Sequence, residues 1–237
     1  MKFEKIVAFG DSFVWGDELI DPDLVHRNDC HTGLVENTPY REQHSFVGLL
    51  AAHYNVPGIN LAWPGSSLQS ALWTYCWWRQ NETTPLDKCL LLVGNTAAHR
   101  TSFYNPGHEV FENDPPWHRY VHSAWVTHSQ ALVSKDWQEL VKKHMVLTDS
   151  AASRELNYLQ SIYFWEGIYS MHAAVLQFAT LPPPIDIKVK NMVIPGSSLQ
   201  SLLALHTDSC CAHGHPNEKG HQIIRDLLIN QIDHAIM

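Results

Sequence analysis

The chain has 237 residues, a formal net charge of -8, 45% hydrophobic residues and 17% charged ones. That length and apolar content suffice for a substantial buried core and exclude an intrinsically disordered chain. The acidic balance and the lack of any basic block speak against a phosphate-backbone partner, so no nucleic acid is expected.

The first element read in chain order is Lys5–Phe9, a short apolar run that stops at Gly10. It has the pattern of a buried parallel strand entering a tight turn. Ser12 follows at once, where a helix would open and lift its hydroxyl above the sheet edge. Residues 17–43 are polar and loop-like and break the rhythm. Phe46–Tyr54 is a predicted helix, 56–62 a strand ending before Pro64-Gly65, and 68–79 a second helix. Residues 89–93, Cys-Leu-Leu-Leu-Val, form a third strand that ends at Gly94-Asn95. Residues 101–150 carry Pro106-Gly107 and Pro115-Pro116 and make a second long insertion. Insertions of this length act as lids or binding loops, or are decoration without chemistry. A long apolar-periodic helix is predicted over 154–178, a fourth strand over 189–194 before Pro195-Gly196, and a closing helix over Glu218–Ile236. Its apolar face carries Ile223, Leu227 and Leu228. Strands alternating with helices predict a parallel sheet covered on both sides, with ligands beyond the carboxyl ends of the strands.

No stretch reads as a signal peptide or a membrane span. The five cysteines, an odd number that includes the adjacent Cys210-Cys211, do not form a disulfide framework, so a soluble protein of a reducing cytoplasm is expected. The nine tryptophans are read mainly as core, with platforms for sugar rings as the alternative. Pro-Gly-Ser-Ser-Leu-Gln-Ser occurs twice, at 64–70 and 195–201, each time between a predicted strand and a helix. Such a turn exposes amide N–H groups suited to an oxyanion, although for the second copy a plain strand-to-helix turn is the better reading.

A serine at a strand end needs a base to become a nucleophile. His215-Pro216-Asn217 supplies a candidate, because Pro216 stiffens the turn and Asn217 can cap the last helix. The N–H groups of Ser12 and Gly65 and the amide of Asn95 are three candidate oxyanion donors from three neighbouring strand ends. The dense run His206, Asp208, Cys210, Cys211, His213, His215 and His221 contains metal-ligand types, but without a paired-knuckle spacing, and neither a metal nor a cofactor is expected.

Taken together, Phe9-Gly10-Asp11-Ser12 with Gly16, Asn60 to Gly65, Gly94-Asn95 and His215-Pro216-Asn217-Glu218-Lys219-Gly220-His221 resemble the SGNH, or GDSL-type, hydrolase superfamily in order and spacing. The resemblance implies a flavodoxin-like three-layer α/β/α sandwich, as one domain over 1–237 with insertions near 17–43 and 101–150. It also implies ester hydrolysis through an acyl-enzyme, with Ser12 as nucleophile, His215 as base and Gly65 and Asn95 completing the oxyanion hole. Two departures stand out. The third block reads Gly94-Asn95-Thr96, which leaves Asn95 or Thr96 as donor, or a hole of only two donors. The acid usually found three residues before the histidine is replaced by Ala212, so Asp208 is the expected third member, with a Ser-His dyad as the alternative. Glu18, Arg100, Trp63 and Trp15 lie close to the motif blocks and are candidates for the pocket lining, while Asp11 is expected to anchor the turn. The expected partner is a small-molecule or carbohydrate ester, O-acetyl sugars included. An acyltransferase or a binding protein that has lost the chemistry would carry much of the same pattern.

Overall fold

The computed structural model describes residues 3–29, 31–104, 120–122, 135–171, 174–187, 189–195 and 197–236. Cys30, Gly196 of the second repeat copy and most of the insertion at 101–150 lie outside them.

Four strands form one parallel sheet: β1 (Lys5–Phe9), β2 (Gly58–Asn60), β3 (Cys89–Asn95) and, fourth in this sheet, β6 (Ala174–Ala179), in the order β2-β1-β3-β6. Their apolar runs alternate between two faces, because successive side chains of a strand point oppositely. Ile6, Ala8, Leu90, Leu92 and Phe178 pack on one face against Phe46 and Leu50 of α3 (Phe46–Tyr54), Leu199 and Leu203 of α7 (Leu199–Leu203), and Ile224 and Leu228 of α8 (Glu218–Ile236). Val7, Phe9, Leu91, Val93 and Val175 point the other way, into Ala71, Tyr75 and Trp78 of α4 (Leu68–Asn81) and Trp165 and Ile168 of α6 (Ala151–Ser170). The result is the expected three-layer α/β/α arrangement. The ring of Phe9 lies 5.9 Å from those of Tyr75 and Trp78 and 5.6 Å from that of Trp165, so these two tryptophans are core side chains. Each fully buried aromatic or aliphatic side chain of this kind contributes roughly 1.5–3 kcal/mol.

Two predicted elements differ. The helix expected over 154–178 ends at Ser170, and its last apolar stretch, Ala174–Ala179, is the edge strand β6. A short apolar run fits a buried strand as well as a helix, and pairing with β3 decides between them. The strand expected over 189–194 is reduced to one parallel bridge, Gln177 with Met192, held by the Gln177 N–H on Asn191 O (2.8 Å) and the Val193 N–H on Gln177 O (2.8 Å). Met192 therefore sits where a fifth strand would extend the 2-1-3-4 order of a flavodoxin-like sheet.

The repeated Ser-Leu-Gln-Ser is a helix start. Ser67 Oγ accepts the Ser70 N–H (3.1 Å) while Ser70 Oγ accepts the Ser67 N–H (2.9 Å), and Ser198 Oγ accepts the Ser201 N–H (3.1 Å). Both copies are N-caps. Outside the main sheet, the first insertion contains α2 (Thr38–His44), and the second contains the antiparallel pair β4 (Ser102–Tyr104) and β5 (Tyr120–His122) and helix α5 (Lys135–Thr148). Among the described residues no helix is long and apolar enough to cross a membrane.

His221 joins α8 to the start of α3. It is fully buried, its Nδ1 accepts the Phe46 N–H at 3.1 Å, and burial, reinforced by the charge of His215, pushes it down to about 3 from an ordinary 6.5. The folded state keeps this ring neutral, whereas the unfolded chain protonates it below 6.5. The stability it contributes is therefore complete above that pH and is lost as pH falls toward 3. Urea titrations should show a loss on the order of 2 kcal/mol between pH 7 and pH 5 from this one group. His221→Asn, which keeps an acceptor at the δ position, should flatten that decline. Parallel pH profiles for the two proteins would contradict the assignment.

Candidate active site

The site grows from the turn after β1. Asp11 is completely buried, and its carboxylate accepts from the Phe13 N–H (3.1 Å), Thr96 Oγ1 (2.6 Å), Thr180 Oγ1 (2.9 Å) and Arg100 (3.1 Å). Thr96 follows β3 and Thr180 follows β6, so one carboxylate ties together three strand ends. A buried charge is tolerated only with such pairing. Asp11 is the N-cap of α1 (Ser12–Trp15), and Ser12 is the first residue of that helix. The four-residue helix lies directly on the sheet: a Cβ at Gly94 would stand 2.4 Å from Val14 Cγ2, which is why β3 carries glycine there.

His215 reaches Ser12 from the far end of the chain. Its turn is closed by the Cys211 N–H on His215 O (2.8 Å) and the Gly214 N–H on Cys211 O (3.0 Å), and Asn217 Oδ1 caps α8 by accepting the Gly220 N–H (3.0 Å). In that setting His215 Nε2 lies 2.9 Å from Ser12 Oγ and Nδ1 lies 3.0 Å from Glu18 Oε2. An ionised carboxylate only accepts, so Glu18 holds the proton on Nδ1 and leaves Nε2 to accept from the serine hydroxyl. Both side chains are about one fifth exposed, 21% and 20%. Asp17 Oδ2 lies 3.9 Å from Nε2, so a second carboxylate faces the same ring. The edge of Phe13 packs on the imidazole with centroids 5.4 Å apart.

The acid at Nδ1 is thus Glu18, not Asp208. Asp208 is exposed, with its backbone at φ +60°, and its carbonyl accepts from Asn217 Nδ2 (2.9 Å). Ala212 is exposed in the turn that precedes His215. Glu18 is delivered by different means. Gly16 ends α1 in the left-handed conformation, the chain reverses, and Glu18 itself has φ +67°. Its N–H donates to Thr32 Oγ1 (2.9 Å), and the buried Asn37 holds the loop by donating to Leu19 O (2.9 Å) and Thr32 O (3.0 Å). The insertion at 17–43 is therefore the mount of Glu18. Arg41 of α2 adds to it by stacking 3.8 Å above the Trp15 ring, with its basicity lowered by burial. The trace of this arrangement in the sequence is a pair of acids directly after the glycine that caps the serine's helix.

The oxyanion candidates separate. Gly65 is buried with φ +79° at the opening of α4, and among the described residues neither its N–H nor that of Ser12 forms a hydrogen bond within the protein. Asn95 is 1% exposed, its amide donates to Gln177 Oε1 (3.2 Å), and its oxygen accepts from Ser161 Oγ (2.9 Å). Thr96 gives its single hydroxyl proton to Asp11. Asn60 braces the same region by donating to Val14 O (2.8 Å). Trp63 stands edge-on to Trp15, with ring centroids 5.8 Å apart. Among the described residues no three His, Cys, Asp or Glu side chains gather as a metal site.

No family model and no curated protein matches the sequence. Among solved structures, the chain is similar to a carbohydrate esterase whose active site has divergent catalytic and non-catalytic binding functions, at 15% identity over 99% of this chain and 66% of that one, TM-score 0.45. It is similar to the psychrotrophic esterase EstA from Pseudoalteromonas sp., at 16% identity over 98% of each chain, TM-score 0.42. A member of the lipolytic protein G-D-S-L family from Veillonella parvula gives 13% identity over 95% of this chain and 96% of that one, TM-score 0.41.

The Glu18 to His215 bond predicts a downfield proton resonance for Nδ1–H in the folded protein. Glu18→Ala should abolish it. Thr32→Val, which removes the acceptor of the Glu18 N–H, should broaden it, and Thr32→Ser should restore it. An unaltered resonance in Glu18→Ala would show that another group holds Nδ1.

Proposed function

We propose that the chain is an SGNH-type serine esterase that hydrolyses carboxylic esters through an acyl-enzyme, with Glu18 in place of the expected acid. The observation that carries this reading is the continuous chain Glu18, His215, Ser12, with each imidazole nitrogen facing the partner its role requires.

Ser12 Oγ attacks the ester carbonyl carbon as its proton passes to His215 Nε2. The carbonyl oxygen becomes an oxyanion and is met by the N–H groups of Ser12 and Gly65. Because Asn95 and Thr96 spend hydrogen bonds in the interior, the hole is assigned two donors. Each such donor supplies on the order of 3 kcal/mol to the transition state. Glu18 keeps the ring in the productive tautomer and stabilises the imidazolium. Collapse of the tetrahedral species breaks the bond between the carbonyl carbon and the alkoxy oxygen, and the leaving alcohol takes the proton from Nε2. Water then adds to the acyl-serine, with Nε2 taking its proton, and the carboxylic acid departs as Ser12 is reprotonated. Asp17, facing Nε2, adds negative potential when the ring is charged.

Purified protein should hydrolyse short-chain p-nitrophenyl esters and be titrated by an organophosphonate at Ser12. Ser12→Ala should lose all activity above background. Glu18→Gln should lower kcat by roughly a hundred- to ten-thousandfold with KM little changed, as when the orienting acid of a triad is neutralised. Asp208→Asn should retain wild-type kcat. A full loss in Asp208→Asn with Glu18→Gln active would reverse the assignment, and equal rates for wild type and Ser12→Ala would refute the esterase reading.

A further inference from the structure

His215 faces two carboxylates, and they meet different nitrogens. Glu18 Oε2 lies 3.0 Å from Nδ1, whereas Asp17 Oδ2 lies 3.9 Å from Nε2, the nitrogen that also stands 2.9 Å from Ser12 Oγ. Asp17 is held by its backbone and by one of its oxygens. Its N–H donates to Ser12 O (3.0 Å), and its Oδ1 accepts from the Glu18 N–H (3.1 Å). Oδ2 makes no hydrogen bond among the described residues, and the side chain is 28% exposed, so solvent reaches it.

The separation of 3.9 Å between Oδ2 and Nε2 is too long for a direct hydrogen bond and fits a bridge through one oxygen atom. An oxygen about 2.8 Å from both atoms sees them at roughly 90°, close to the angle between the two O–H bonds of water. Both atoms are suited to accept. An ionised carboxylate has no proton to offer, and Nε2 accepts because Glu18 keeps the ring proton on Nδ1. In the free protein Nε2 takes the Ser12 hydroxyl. Once the serine is acylated, its oxygen has no proton to give, and Nε2 is open to a water molecule. That water has two protons to place, and Nε2 and Oδ2 together receive both.

We propose that Asp17 is a further catalytic residue, which holds the water of deacylation by its second proton and so favours water over alcohols as acyl acceptor. The assignment rests on the esterase reading. The water oxygen bonds to the acyl carbon as one of its protons passes to Nε2. The other proton stays on that oxygen, hydrogen-bonded to Oδ2, and leaves with the carboxylic acid. The bond from the acyl carbon to Ser12 Oγ then breaks, and Nε2 returns its proton to the serine oxygen. Methanol has a single O–H, so it engages Nε2 alone and gains nothing from Asp17.

The test cleaves p-nitrophenyl acetate with the full chain in buffer containing methanol and measures the enzymatic ratio of methyl acetate to acetate, which does not depend on the amount of folded enzyme. Asp17→Asn is isosteric, but its one side-chain oxygen belongs to the Glu18 N–H, so its NH2 faces Nε2. In Asp17→Asn and in Asp17→Ala the ratio should rise about tenfold or more, as expected for one lost hydrogen bond to a charged group. In plain buffer the steady-state rate should fall more than the rate of the p-nitrophenol burst. A role limited to the electrostatic field would slow both steps alike and leave the ratio unchanged, and an unchanged ratio overturns the assignment. Loss of the burst itself in both variants would place Asp17 in acylation and overturn it as well. Wild-type protein that forms neither acetate nor methyl acetate overturns the esterase reading, and the assignment with it.

Discussion

The structure depends first on a buried negative charge. Asp11 sits at zero exposure, where an unpaired carboxylate would cost several kcal/mol, and it is paid for by a cation, two hydroxyls and a backbone amide. Those partners come from the turn after β1, the ends of β3 and β6, and the segment that follows β3. Satisfying one carboxylate therefore fixes the relative position of three strand ends and the orientation of the helix that begins at Ser12. The mouth of the parallel sheet, where the backbone turns away and side chains gain freedom, is made rigid at the point where Ser12 presents its hydroxyl to His215.

Around that anchor, the three groups proposed for the chemistry are supplied in an economical way. Serine and acid belong to one short segment: a four-residue helix, a left-handed glycine, and then Asp17 and Glu18. Their relative geometry is a local matter, tuned by Thr32 and Asn37 of the adjoining insertion. Only the histidine travels, and its turn is built from backbone hydrogen bonds without a carboxylate of its own. No carboxylate of that turn reaches the ring, and Ala212, three residues before His215, is exposed.

The side chains at the end of β3 divide between two environments. Asn95 is the last residue of β3, and its side chain is occupied by Ser161 of α6 and Gln177 of the neighbouring strand β6, while the next residue, Thr96, faces Asp11. The alternation of side chains along an extended chain assigns consecutive residues to opposite sides. The Asn95 carboxamide therefore lies in the interior with Ser161 and Gln177, and the Thr96 hydroxyl lies at the mouth of the sheet with Asp11.

How much of this was legible follows the range of the interactions. β1 and the helices Phe46–Tyr54 and Glu218–Ile236 match their sequence-based bounds, because hydrophobic periodicity and capping residues are local properties. The end of α6, the strand Ala174–Ala179 and the reduction of 189–194 to a single bridge were not legible, since an apolar run becomes strand or helix according to the neighbour that pairs with it. The same division runs through the site. The sequence by itself determined that a serine and a glycine stand at strand ends and that a histidine stands in a stiff turn, because glycine, proline and capping residues impose those conformations on their own backbone. Only the tertiary structure decided which carboxylate meets His215, since that choice compares Glu18 and Asp208 through a contact spanning 197 residues of chain, and it was settled by the loop that pins Glu18 rather than by any pattern near the histidine.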